Sequence, residues 1–212
     1  MLTPQSTPHA KKWLRHYLAL PTRHPIFGKI YHIDKKEIRF VYYQKKYYFC
    51  THKLVKMKRQ RIYIDTSIVG GFFDKEFEKE TKMLFQRLEN KDIIFVISDL
   101  LFKELENAPP NVKYLLDNYD KNFLEEVVAT DEVSELADKY IAEKVVGRTS
   151  LDDCKHIALA TINKVDVLAS WNFKHIVNLE RIKGYNGVNL KMGYSTIEIR
   201  NPKDLVYYGE RI

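Results

Sequence analysis

The sequence predicts an α/β protein, three layers (α/β/α) built on a mainly parallel central sheet and preceded by a basic N-terminal extension. Three observations predict it. After Met57, short β-branched and aromatic runs alternate with segments of helical period. The run at Ile93–Ile97 (IIFVI) is apolar throughout, as a strand covered on both faces must be. Charge also divides the chain: residues 1–56 hold 12 Lys/Arg against only Asp34 and Glu37, a net +10. That leaves 23 of the 35 basic and 26 of the 28 acidic residues, net −3, for residues 57–212. The overall charge of +7 is a property of the extension, not of the α/β domain.

The elements follow in order. In the extension, Pro4, Pro8, Pro21 and Pro25 break any long helix. From Glu37 to His52, aromatic and β-branched residues crowd around Gln44-Lys45-Lys46, which fits two short strands and a turn. In the domain, Arg61–Asp65 (RIYID) reads as a strand. Phe77–Leu88 reads as a helix burying Phe77, Thr81, Leu84, Phe85 and Leu88. Asp99–Asn107 and Asn111–Asn118 read as helices separated by Pro109-Pro110, and Leu124–Ala129 as a strand. Thr130 stands at an N-cap, with Asp131 and Glu132 in the first turn and a stripe of Val133, Leu136, Ala137, Tyr140 and Ile141 behind it. Ser150–Asn163 is a further helix, Asp166–Ser170 and Ser195–Arg200 are strands, and Asn201-Pro202 is a turn.

Composition excludes several classes. No stretch approaches the roughly 18 uninterrupted apolar residues of a membrane helix, and Lys11, Lys12 and Arg15 lie where a secretory signal would carry its apolar run. Cys50 and Cys154 are too few for a disulfide scaffold and too far apart for a metal knuckle, so a reducing, cytoplasmic setting is expected. Gly70-Gly71 has neither the GxGxxG nor the Walker spacing, which argues against a nucleotide-binding α/β protein.

Four polar residues stand where parallel sheets gather function, beyond the C-terminal ends of strands. Asp65 ends the first strand of the domain, ahead of Thr66 and Ser67; its competing role is an Asx turn or N-cap leading into Ser67–Gly71. Glu104 shares a helix face with Leu100, Leu101 and Ala108, where an acid must be paired, protonated or metal-bound; a salt bridge at the helix edge is the alternative. Glu106 falls off that face and is solvated. Asp153 lines up with Ile157 and Ala160, while Asp152 lines up with Lys155 and His156; against a crevice role, Ser150-x-x-Asp153 matches a capping box. Asn172 follows the strand DVLAS, where its amide oxygen can serve a cation or cap the next helix, and its neighbours Trp171 and Phe173 read as packing residues. Carboxylates converging without a His/Cys set favour a hard cation, Mg2+ or Mn2+, and such a site suits phosphodiester hydrolysis.

The runs RIYIDTSIVGG, ISDLLFKELENAP and LDDCKHIALATINKVDVLASWNFKH, in this order, resemble the PIN domain, and among PIN domains the VapC-like toxins of type II toxin–antitoxin pairs. The resemblance spans about Lys58 to Arg200. It implies a PIN-like fold and a Mg2+- or Mn2+-dependent endoribonuclease in which Asp65, Glu104 and Asp153 bind the metal. Thr66 or Ser67 would assist, and Asn172 would orient a water or second metal. It also implies an RNA substrate, a homodimer and a silencing antitoxin protein. Two departures stand out. Asn172 occupies a position where many relatives carry another acid, which leaves open a PIN-like binding module that has lost catalysis. The extension precedes Met57, where such toxins would start. Residues 1–56 are therefore either an upstream region read through or a basic arm for RNA phosphates.

Overall fold

The computed structural model describes residues 39–43, 46–50 and 59–207. The chain divides into two compact units, Met1–Met57 and Lys58–Ile212. In the first, β1 (Arg39–Tyr43) and β2 (Lys46–Cys50) pair antiparallel, as their aromatic and β-branched residues predict. The two readings of residues 1–56 otherwise lie outside the described residues.

The second unit is a three-layer α/β/α protein. Its sheet contains β3 (Gln60–Ile64), β4 (Ile93–Ser98), β5 (Leu124–Val127), β6 (Val167–Ala169) and β7 (Ile199–Arg200), in the order β5-β4-β3-β6-β7. Every pairing among them is parallel. The alternation along β3 explains the two outer layers. Ile62 and Ile64 point to one face, and Tyr63 points to the other. On the first face lie α1 (Thr66–Gly71), α2 (Glu78–Glu89), α3 (Asp99–Leu105) and α8 (Pro202–Tyr207), through residues such as Ile68, Leu84, Phe85, Leu101 and Val206. On the second lie α5 (Asp131–Ala142), α6 (Leu151–Ile162) and α7 (Leu179–Lys191), through Leu136, Tyr140, Ile157 and Tyr185. Each fully buried side chain of this size stabilises the fold by about 1.5–3 kcal/mol.

Strand order decides where the site can form. The chain runs outward from β3 to β4 and β5, then returns to place β6 on the other side of β3. The order reverses between β3 and β6, and at such a switch point the crossing helices leave a crevice beyond the strand ends. The register aligns Ile64 with Ala169, so Asp65 and Ser170 leave the sheet side by side.

Several expectations are corrected. Asn111–Asn118 is not one helix: α4 (Pro110–Lys113) is a single turn, followed by a 3-10 turn at Leu115–Asn118. The strand expected over Ser195–Arg200 shrinks to Ile199–Arg200, because only those residues pair with β6. Pro202 opens α8 instead of merely turning the chain, in keeping with proline's fitness for a first helical position. Thr130 stands at the N-cap of α5 but makes no side-chain cap bond, so Asp131 and Glu132 supply the favourable first-turn charge. Helix α7 went unrecognised because Gly184 and Gly187 interrupt it. Gly184 is there for packing: a Cβ on it would come within 2.8 Å of Val145 Cγ1.

Candidate functional site

The site grows from the strand ends. Asp65 is only 4% exposed, and β3 delivers it to the N-cap of α1, where Oδ1 accepts from the Ile68 amide at 3.3 Å. The cap role and the crevice role are therefore one and the same placement. Ser67 donates to Oδ1 at 2.5 Å, and Ser170, from the end of β6, donates to Oδ2 at 2.6 Å. Burial pushes the Asp65 carboxyl above its ordinary range; His156, the two serine hydroxyls and the Ile68 amide oppose that shift without reversing it.

Glu104 reaches the site from α3, whose N-cap is Ser98 at the end of β4. Its side chain is 30% exposed; its Oε2 lies 3.2 Å from His156 Nε2 and accepts from the Thr66 hydroxyl. Burial alone would raise its pKa, but the His156 and Thr66 bonds outweigh it and hold the carboxyl below its ordinary value. Glu106 is exposed, as expected.

Asp153 does not form the capping box. Ser150 makes no cap bond to α6; its hydroxyl lies 3.1 Å from His175 Nδ1. The Asp153 Oδ1 accepts instead from Asn172 Nδ2 at 2.8 Å, a contact between residues 19 apart in sequence. Burial raises the Asp153 pKa; the neighbouring Asp65 charge adds to the rise, while His175, His156 and the Asn172 bond work against it. Asn172 makes two further bonds: its Oδ1 accepts from the His175 backbone N–H at 2.9 Å and its backbone N–H donates to Ser170 Oγ at 2.9 Å. The amide thus caps the following turn and pins Asp153 together. Trp171 packs as expected, stacked on Phe77 with its Nε1 donating to Thr81 at 2.9 Å, whereas Phe173 is 48% exposed.

The sequence offers His156 as a base or ligand but favours a helix-surface partner for Asp152, and the structure corrects that preference. Its alignment with Asp152 suggests a surface pair, but Asp152 is held by Lys155 at 3.0 Å, and His156 is buried at 3% exposure. It stands one turn beyond Asp153 and within electrostatic reach of Asp65, Glu104 and Asp153 alike. The i, i+3 spacing from Asp153 was the available signal.

The structure thus brings Asp65, Glu104, Asp153, Asn172, Thr66 and Ser67 to one rim of the sheet, around His156. The donor set is oxygen-rich and suits a hard cation: three carboxylates, two of them raised by burial that a countercharge would offset. Among the described residues, however, no group of three or more His, Cys, Asp or Glu is drawn together as a ligand cluster. As they stand, the carboxylates are spread around the imidazole and tied to hydroxyls and amides.

The class this defines is a parallel α/β/α protein with acidic residues at its strand-order reversal. No family model matches the sequence, and no curated protein matches it. Among solved structures, the chain is similar to VapC20 of Mycobacterium tuberculosis, a sarcin-ricin loop cleaving toxin, at 14% identity over 50% of this chain and 86% of that one, TM-score 0.40. It is similar to VapBC2 from Rickettsia felis, bound to a DNA fragment from its promoter, at 14% identity over 67% and 98%, TM-score 0.43. It is also similar to tyrosyl-tRNA synthetase from Archaeoglobus fulgidus in complex with L-tyrosine, at 12% identity over 69% and 56%, TM-score 0.37. Likeness this distant, shared between a cleaving toxin and a synthetase, carries no argument about activity. Among the described residues, no helix is long and apolar enough to cross a membrane.

Proposed function

We propose that this protein is a PIN-like, divalent-metal-dependent endoribonuclease, the toxin of a type II toxin–antitoxin pair. One observation carries the reading: Asp65, Glu104 and Asp153, far apart in sequence, gather around one imidazole at the switch point of a parallel sheet. The motif resemblance of Lys58–Arg200 supports it. Asp65, Glu104 and Asp153 would hold Mg2+ or Mn2+, with Thr66 and Ser67 orienting the acids through the hydroxyl bonds they already make. Such an ion would offset phosphate charge and make water a stronger nucleophile at neutral pH. Asn172 holds Asp153 in place, and water attacks the RNA phosphodiester with no covalent enzyme intermediate. A cytoplasmic homodimer silenced by an antitoxin protein completes the proposal. The test is RNA cleavage by the full chain in Mn2+ against EDTA, with Mn2+ binding followed by the rise in melting temperature. Cleavage that survives EDTA, or no cleavage in either metal, overturns the reading.

A second reading, a PIN-like binding module without catalysis, is favoured by Asn172 and by the absence of a ready ligand cluster among the described residues. Calorimetry separates the two, since the module binds no Mn2+ at millimolar levels. Asn172→Asp tests the same corner. It replaces an N–H donor with a carboxylate at hydrogen-bond distance from Asp153. In EDTA the variant is expected to lose about 1–3 kcal/mol of stability, and Mn2+ should raise its melting temperature more than that of the parent. An unchanged melting temperature in EDTA would mean that the Asn172–Asp153 bond does not form in solution.

A further inference from the structure

We propose that the segment following β6 is a lip that takes single-stranded RNA: the exposed Phe173 ring stacks on an unpaired base, and the Arg181 guanidinium binds a neighbouring phosphate. The inference rests on the nuclease reading above and deepens it, by assigning substrate contacts that the acids themselves cannot make.

The two side chains flank one corner of the site. Asn172 Nδ2 donates to Asp153 Oδ1 at 2.8 Å, and Phe173, the next residue along the chain, is 48% exposed. On the other side, Asn172 Oδ1 accepts from the His175 backbone N–H at 2.9 Å, and Arg181 Nη1 lies 2.6 Å from His175 Nδ1. An aromatic ring and a cation are thus both joined, through Asn172, to a carboxylate of the proposed metal site.

The ring is exposed on a backbone with no slack. The backbone N–H of Trp171 donates to Ser67 Oγ at 2.8 Å, and that of Phe173 to the Trp171 carbonyl at 2.9 Å. Ile176 and Val177 both donate to the Asn172 carbonyl, at 3.0 and 2.8 Å, and Tyr185 Oη donates to the His175 carbonyl at 2.9 Å. Trp171 before the ring and Ile176 after it are buried in the core. Phe173 meets Trp171 at a centroid distance of 6.0 Å and a tilt of 57°. A ring held this way loses little freedom on stacking, and stacking accepts any base because every base has a π-face.

Arg181 is available for an anion. It stands in the first turn of α7, where a cation opposes the helix dipole, so its charge does not stabilise the helix. Glu180, its neighbour in the chain, pairs with Lys183 at 2.9 Å. A guanidinium carries five N–H donors, and its contact with one imidazole nitrogen leaves others for phosphate oxygens. Lys174, exposed beside the ring, adds positive charge to the same edge. Cations interleaved with an exposed ring match a polyanion with open base faces, which a single strand offers and a duplex hides.

A single-stranded oligoadenylate carrying one 4-thiouridine, irradiated with the full chain in EDTA, tests the contact without cleavage. The expected crosslink maps to the peptide holding Phe173 and is lost when the RNA is annealed to its complement. Crosslinks confined to residues 1–56, or found only elsewhere in the domain, overturn the proposal. Fluorescence anisotropy with a labelled oligoadenylate reads the variants. Phe173→Leu should weaken binding about 5–150-fold, while Phe173→Tyr stays near the parent. Leucine and tyrosine variants that bind alike would reduce the ring to apolar surface. Arg181→Ala should lower the slope of log affinity against log salt by about 0.7, the share of one phosphate contact on a single strand, and Arg181→Lys should restore it. An unchanged slope in Arg181→Ala removes the guanidinium from the interface. Sedimentation without RNA covers a protein occupant: a parent dimer that dissociates in Phe173→Leu assigns the ring to a second copy and overturns the proposal. A parent chain that crosslinks at Phe173 but cuts no RNA keeps the lip and loses the nuclease reading; cleavage without that crosslink does the reverse.

Discussion

Asp65→Asn is expected to abolish Mn2+-dependent RNA cleavage while leaving the fold intact and, in EDTA, no less stable. Loss of one of the proposed metal-holding carboxylates should cost about 10³-fold or more in rate, since each tenfold is only about 1.4 kcal/mol of transition-state stabilisation. The stability half of the expectation comes from burial. Asp65 is 4% exposed, and among the described residues its direct partners are two hydroxyls and one amide, with no Lys or Arg salt bridge. An acid whose folded pKa is raised holds its proton more tightly in the folded state, so its ionisation at higher pH works against folding. Asparagine carries no charge to bury, and its oxygen keeps the bonds from Ser67 and Ile68. Only Ser170, which now meets an N–H, must redirect its proton. The balance should lie within about 1 kcal/mol of the parent. Thermal melts in EDTA and then in Mn2+ read both halves: the parent gains stability from the ion and the variant does not. Undiminished cleavage would remove Asp65 from the mechanism; a collapsed melt in EDTA would make its role structural.

Phe85→Ala should be the most damaging single change to the fold. Phe85 is 1% exposed on α2 and meets three rings, Phe72, Phe95 and Tyr119, each at a centroid distance of 5.1 Å. It joins the helix to β4, the strand whose end begins the helix of Glu104. Truncation of a buried phenylalanine costs about 3–5 kcal/mol, transfer and cavity together, against a total of about 5–15 kcal/mol for a typical domain. Urea unfolding followed by circular dichroism measures it. A loss below about 1 kcal/mol would mean that this face of the sheet is not packed through Phe85.

The parts of the fold legible in the sequence are those whose burial imposes a period. The IIFVI run becomes β4 with little ambiguity, because a strand covered on both faces has no polar positions to spare. The stripe from Val133 to Tyr140 becomes the buried face of α5 for the corresponding helical reason. Helix α7 was hidden because two of its positions answer to neighbouring elements: Gly184 yields room to Val145, and Asn189 is completely buried between Tyr140 and Thr161, bonding both. Neither residue fits an apolar stripe.

The site divides along the same line. The sequence by itself determined that Asp65 and Asn172 would stand just beyond parallel strands and that Glu104 and Asp153 would sit on helices entering from that end. Strand and helix periods are local, and position relative to an element's end is read by counting. Only the tertiary structure decided partners. Ser150 and Asp153 have the spacing of a cap, yet one bonds His175 and the other Asn172; His156 has the spacing of a surface pair, yet it is buried against Tyr63 and Glu104. A local hydrogen bond competes with every donor the fold brings near. Once a group is sealed from water, the bonds that satisfy all of its neighbours prevail over the one nearest in sequence.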